Sequence, residues 1–459
     1  MYEIIKNSKS ILLFVALSFI ATIPFGCETE KQNPNFQADA ANPEFMHRSM
    51  QALSEVIKYD LFAPMIASRI YTYSHIAAYQ AANAQTADYQ TLVGQINGLQ
   101  NLPSVEKDKI YCLPLSAVCA YLKVGRKLIF SEDSLDNFRK TILSDFKKIG
   151  IPREIYERSV AFGDTIGGNI IAWSSKDNYA QTRSKSKYAV TPSNATRWRP
   201  TSPDYGDALE PHWCELRTLV MDSAAQIKPI PAVKYDTLKS SAFYKMALET
   251  YNLVKTNAPD KTETAWYWDD NPAATFNTGH VNVTRKKISP AGHWLWITMY
   301  NARQNKKDIY QSIDSYLRVA LAQFDGFIAC WDEKYRSEVI RPESYIAKYI
   351  DPNWLPIIIT PPFPEYTSGH SVISGASSQI LTHLFGENVA FTDSTEVQFG
   401  LAARHYNSFK EAGEQAAMSR IYAGIHYRPA CAEGFKQGVA VGNLVIQKIK
   451  TKRDLKQQE

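Results

Sequence analysis

The spacing of the apolar residues constrains this chain most. Over long stretches they recur every three to four positions, and two-residue alternation is rare. Side chains return to one face every 3.6 residues in a helix and every two in a strand, so the pattern predicts mostly helix with few strands. Helical spacing runs over 50–83, 108–130, 134–148, 152–174 and 240–255. It resumes past Pro290, over about 290–304, 307–336, 368–386, 393–412 and 430–450. No repeat of fixed period interrupts it. Residues 176–231 are rich in Ser, Thr, Pro, Arg and Tyr and predict a long irregular insert. So long a loop in a compact domain is usually functional or wraps the surface. The expected fold class is all-α, with an N-terminal helical half over 46–289 and a C-terminal half over 290–450.

The first 27 residues read as an export signal. Lys6 and Lys9 precede an apolar run from Ile11 to Ile23, which is shorter than the roughly 20 residues that span a bilayer. Pro24-Phe25-Gly26-Cys27 is similar to a bacterial lipobox, which makes Cys27 a lipid attachment point. The protein is then expected in the cell envelope as an outer-membrane lipoprotein, or secreted if cleavage falls elsewhere. Residues 28–45 are polar and predict a tether. No later stretch reaches 18 apolar residues, so membrane association is expected only through the lipid. With 51 Lys+Arg against 46 Asp+Glu the net charge is +5, and no basic stripe argues for nucleic acid. Beyond Cys27 stand five cysteines: Cys112, Cys119, Cys214, Cys330 and Cys431. Their number is odd and their spacing matches no disulfide framework or zinc site, so most are expected to be buried thiols.

Three segments in the last third carry chemistry together. Lys334 and Arg341-Pro342 are seven apart, which on one helix places both cations on one face, with Pro342 marking its end. Pro361-Pro362-Phe363-Pro364 makes a stiff approach to Ser368-Gly369-His370, and helical spacing follows. That puts Ser368 near an N-cap, where backbone N–H groups favour an anion. Arg420 and His426 are six apart; on a straight helix they would diverge by about 120°, so they converge only if the chain bends near Gly424. Taken singly, these are a basic face, a capped helix and a core histidine. Together they supply three fixed cations, N–H donors and two histidines, a set suited to a tetrahedral oxyanion.

This K-x6-RP, SGH, SR-x5-H set resembles the type 2 phosphatidic acid phosphatase and vanadium haloperoxidase superfamily, over about residues 331–427. Arg69 to Tyr79 and Trp198 to Pro203 are similar to its haloperoxidase branch, particularly flavobacterial-type iodoperoxidases. The resemblance implies two helical bundles packed as one domain and vanadate as cofactor. His426 would be the metal ligand and His370 the acid–base residue. Lys334, Arg341, Ser368, Gly369 and Arg420 would hold the oxyanion's oxygens, with Lys334 also acting in catalysis. Hydrogen peroxide and a halide, iodide or else bromide, would be the substrates. In two places the chain departs from the pattern. Thr367 replaces a usual Pro, and Ala430 stands four after His426, where many members carry Asp.

Trp331, Phe363 and Asp332 are placed by the resemblance on the halide side of the pocket. Asp269 or Asp270 is a further candidate to orient an arginine. His47, His75, His212, His280, His293, His383 and His405 show no spacing of their own and read as structural or surface residues. Two rivals stand beside the haloperoxidase. One is an acid phosphatase in which His426 forms a phosphohistidine. The other is a non-catalytic surface lipoprotein.

Overall fold

Two helices are buried on nearly every side, and the rest of the chain is arranged around them. The computed structural model describes residues 32–453 apart from 192–193, 257, 273 and 279. The expected export signal, with Cys27, lies outside the described residues. In chain order the helices of the first half are α1 (Phe36–Ala40), α2 (Glu44–Tyr59), α3 (Pro64–Ala82), α4 (Leu113–Leu128), α5 (Glu132–Lys148), α6 (Arg153–Ser174), α7 (Tyr179–Thr182), α8 (Ala242–Thr256) and α9 (Pro259–Tyr267). A ribbon of β1 (Ala274–Thr278) and β2 (Val281–Arg285) follows. The second half holds α10 (Pro290–Gln304), α11 (Ile309–Ser337), α12 (Pro342–Tyr349) and α13 (Gly369–Phe385). After a ribbon of β3 (Phe391–Asp393) and β4 (Arg404–Tyr406) come α14 (Phe409–Tyr422) and α15 (Arg428–Lys448).

Helix α3 is buried at every position from Ala67 to Ala82, and α11 from Ser312 to Trp331, so each is a core helix rather than an amphipathic one. They pack on each other, and Thr72 Oγ1 donates to the carbonyl of Ala320 across the seam at 2.8 Å. Around α3 lie α4 and α6, with α2 packed on α4; α13, α14 and α15 form the second bundle against α11. Helix α11 starts from a capping box at Asp308 and Gln311, which fixes its first turn and hence where its far end delivers Lys334.

Glycine sets how closely α13 and α15 approach. A Cβ at Gly438 would stand 1.9 Å from the carbonyl oxygen of Val372, and one at Gly375 would stand 2.3 Å from that of Phe435. No side chain fits there, so backbone packs on backbone and the N-terminus of α13 is held beside that of α15.

The insert over 176–231 is irregular apart from α7 and one 3-10 turn, Trp213–Glu215. It is pinned as a strap. The buried carboxylate of Asp325 on α11 accepts three backbone N–H groups, from Leu219, Val220 and Met221, each at 2.7 Å. A buried Arg69–Asp177 pair at 2.7 Å ties its start to α3. All five cysteines past Cys27 are free, and only Cys214 is not fully buried.

Four expectations are corrected. The polar tether does not run to residue 45, because Phe36 and Ala40 of α1 are buried in the core. The helix expected over 50–83 breaks at Leu61, whose φ is +58, and restarts at Pro64. The helix expected over 393–412 is a 3-10 turn, strand β4 and only then α14, since Asp393 and Thr395 turn inward. Pro342 begins a helix rather than ending one. Helix α11 stops at Glu338, which is left-handed at φ +49, and Arg341 is the N-cap residue of α12. Among the described residues no helix is long and apolar enough to cross a membrane.

Candidate active site

The second and third motifs line one cavity of about 60 Å³ through Gly369, His370, Arg420 and His426, and the first stands just behind it, with Arg341 Nη1 3.1 Å from His426 Nε2. Lys334 arrives on the last turn of α11. Arg341 stands just before α12, and Ser368 to His370 open α13. Arg420 ends α14; then the chain turns at Gly424, whose φ is +81, and presents His426 just before α15. That bend supplies the convergence a straight helix would deny. Lys334 and Arg341 meet by a different route from the one expected, because the chain breaks between them instead of carrying both on one face.

Each cation is held from behind by backbone carbonyls. Lys334 Nζ donates to the carbonyls of Pro364 and Glu365 at 2.8 and 3.1 Å. Arg341 donates from Nε to Phe363 and from Nη1 to Ile425, both at 2.8 Å. Arg420 Nη1 donates to the carbonyl of Trp268 at 2.6 Å. Burial pushes the Lys334 amine down to about 7 and the Arg341 guanidinium to about 10, and lowers Arg420 as well. Arg341 Nη2 and Arg420 Nε are buried and have no hydrogen-bond partner. An unanswered guanidinium N–H away from water is costly, so the two mark where an acceptor anion belongs.

At the head of α13, Ser368 caps the helix by accepting from the Ser371 N–H at 3.4 Å. A Cβ at Gly369 would lie 3.6 Å from Trp331, an ordinary contact, so glycine here leaves the cavity open rather than relieving a clash. His426 is neutral, driven well below its usual value by burial and then by Arg341 and Lys334. Its Nδ1 is 2.8 Å from Glu365 Oε1, and its Nε2 is 3.1 Å from Arg341 Nη1. His370 is pushed down to about 4, by burial first and Arg420 second.

Part of the wall is apolar, and two of the cations stand over it, Lys334 Nζ and the Arg341 guanidinium each 4.9 Å from the centre of the Phe363 ring. Trp331 and Phe363 have ring centroids 5.0 Å apart, and Phe327, Leu209, Ile359, Pro361 and Pro362 complete it. Trp331 is fixed by donating from Nε1 to the carbonyl of Leu209 at 3.2 Å, so the strap shapes the wall. Asp332 does not line the cavity. One residue on from Trp331 it is turned about 100° round the helix, and it pairs with Arg336 at 3.3 Å. The cavity also takes Pro64, Asp269, Asp270 and Asn271 from the first half, so it is not built by the second half alone.

Reasoning from sequence missed two groups. Glu365 gave no signal beyond lying in the proline-rich approach. His293, read as structural or surface, is wholly buried between two carboxylates, with Nδ1 2.9 Å from Asp270 and Nε2 2.8 Å from Asp393. Burial opposes its charge, but the two carboxylates overcome that and raise it well above its usual value. Asp270 therefore serves histidines in its contacts, although its charge also favours Arg420.

A family model described as the VCPO second helical-bundle domain matches residues 347–454. The chain is similar over 90% of its length, and 98% of the other chain, to a solved bacterial vanadium-dependent iodoperoxidase, at 41% identity and a TM-score of 0.85. The apo and holo forms of a bacterial vanadium-dependent chloroperoxidase share the fold at 16% identity, with TM-scores of 0.65 and 0.66 over 85% and 91% of this chain and 97% of each of theirs. No curated protein matches. With its helical fold, the chain belongs to the vanadium-dependent haloperoxidases. The family implies vanadate. The residues present fit it, because Arg420 with its unpartnered Nε, the N-terminus of α13 and His426 line the cavity, and Arg341 with its unpartnered Nη2 contacts His426.

Proposed function

We propose that the protein oxidises iodide with hydrogen peroxide to hypoiodous acid, with vanadate held by Lys334, Arg341, Ser368, Gly369, Arg420 and His426. The carrying observation is a single cavity lined both by Arg420, whose Nε is unanswered, and by the Trp331–Phe363 wall, over which Lys334 and Arg341 stand. Aromatic hydrocarbon suits a large, weakly hydrated anion such as iodide. The similar iodoperoxidase supports the same halide. Bound vanadate would supply a Lewis-acidic centre that activates peroxide for oxygen transfer.

The chain's own groups then have distinct tasks. The guanidinium of Arg341 and that of Arg420 would hold charged oxygens through Nη2 and Nε. Lys334 would offer its Nζ proton from a position fixed by the two carbonyls. His370, with Nε2 free of any hydrogen bond, would hold and move a proton there. The apolar wall would keep water from competing with the halide.

The test is triiodide formation with peroxide and iodide, with and without orthovanadate, beside His426→Ala. Vanadate-dependent activity lost in the variant is expected, with bromide slower. Hydrolysis of an aryl phosphate without halide oxidation would replace this reading by the phosphatase, which the similarities do not favour. Lipid anchoring through Cys27 is part of the same proposal, and membrane fractionation of Cys27→Ser tests it.

A further inference from the structure

We propose that Glu365 is the positioning residue of the metal-ligating histidine, filling the part of a carboxylate that the chain lacks one turn after His426, at Ala430. The proposal rests on His426 binding vanadate through Nε2.

The tautomer follows from the partners. Arginine has only donors, so the 3.1 Å contact from Arg341 Nη1 requires a lone pair on His426 Nε2. Nε2 thus carries no proton, so the proton of the ring lies on Nδ1 and is donated to Glu365 Oε1 at 2.8 Å. Nε2 is therefore left basic on a ring that lines the cavity, as a metal ligand requires. The same oxygen, Oε1, accepts the Tyr427 N–H at 3.0 Å, which fixes the backbone next to the histidine. Ala430 lies on the first turn of α15, and its carbonyl accepts the Ser368 N–H at 3.1 Å. Its methyl offers His426 nothing.

Glu365 is itself held at three points. Its N–H donates to Val339 at 3.0 Å, its carbonyl accepts from Lys334 Nζ at 3.1 Å, and its side chain is almost wholly buried. One residue thus links the lysine, the histidine and the proline-rich approach. A carboxylate borrowed from another segment replaces one four residues along the chain. The Pro361–Pro364 approach then has a further task, which is to deliver that carboxylate.

Glu365→Gln tests this, because glutamine keeps the shape and an acceptor oxygen while removing the charge. Orthovanadate affinity, measured by equilibrium binding, is expected to fall about 10- to 100-fold. The melting temperature should stay within a few degrees of the parent. Adding Ala430→Asp to this variant should recover part of the affinity, an effect that no purely structural role for Glu365 would produce. In the ligand-free parent protein, ¹⁵N chemical shifts of His426 should show the proton on Nδ1. A proton on Nε2 overturns the proposal even if no variant folds, and so does unchanged affinity in folded Glu365→Gln. A parent protein that binds no orthovanadate overturns instead the reading beneath it.

Discussion

His370 Nε2 stands 3.6 Å from Asp270 Oδ2, just beyond hydrogen-bond reach, while the other oxygen of Asp270 holds His293 at 2.9 Å. Oδ1 is thus engaged by His293 while Oδ2 has no other partner, and the carboxylate raises the proton affinity of His370 through this close approach and its charge. Asp270→Asn removes that charge. The His370 value, about 4 in the parent, is expected to move lower still, because the charged form loses its attraction while burial and Arg420 remain. An NMR titration of the ligand-free protein measures it, and an upward shift would sink the argument.

Lys334 is a buried ammonium answered by two carbonyls and, among the described residues, by no carboxylate within ion-pair distance. Its charge costs stability, which the proposed anion would offset. Lys334→Met is expected to keep the fold and to stabilise it by about 1 kcal/mol. Orthovanadate binding should weaken by at least about tenfold. Urea unfolding and equilibrium binding read the two effects separately. A destabilised variant would show that the lysine holds the fold.

The stack Asp270–His293–Asp393 has no solvent access. Replacing His293 by Leu leaves two buried carboxylates facing each other without a cation between them. The expected cost is about 3–5 kcal/mol, the range for breaking a buried ion pair from one side. Unfolding by denaturant checks it, and a change below about 1 kcal/mol would refute a charged His293.

Gly438→Ala forces α13 and α15 apart, since its Cβ would meet the Val372 carbonyl oxygen at 1.9 Å. Because Ser368 to His370 open α13 and His426 precedes α15, the displacement reaches the site. A loss of about 1–3 kcal/mol or more is expected, together with weaker orthovanadate binding. Equal stability and equal binding would mean that the helices do not fix the geometry.

His75 sits in the core against Tyr71 and is held neutral down to about 3 by burial. The unfolded chain takes up its proton near 6.5. Stability from this group is therefore complete above pH 6.5 and is lost as pH falls toward about 3. His75→Gln should flatten the fall in melting temperature across that window. A parallel fall in both proteins would assign acid sensitivity elsewhere.

Much of the fold was legible because helix periodicity is local. The α10, α11 and α13 bounds lie within a residue or two of those expected from apolar spacing. Where a short polar turn competed, periodicity failed: the stretch before Phe409 is apolar enough for a helix, yet it closes a ribbon through β3 and β4. Lys334, Arg341, Ser368, Gly369, His370, Arg420 and His426 were recognisable because rare residue types recur at set intervals. How they meet was not, since it turns on the left-handed Glu338 and Gly424 and on the close packing of Gly438.

By itself, then, the amino-acid order determined the helices, the oxyanion-binding inventory and the resemblance that linked them. Tertiary structure alone decided that Glu365 answers His426, that His293 lies between Asp270 and Asp393, and that Trp331 faces the cavity while Asp332 does not. The physical reason is range. Helical spacing and motifs act over a few residues, whereas a buried proton is placed by whichever distant acceptor the packing brings within 3 Å.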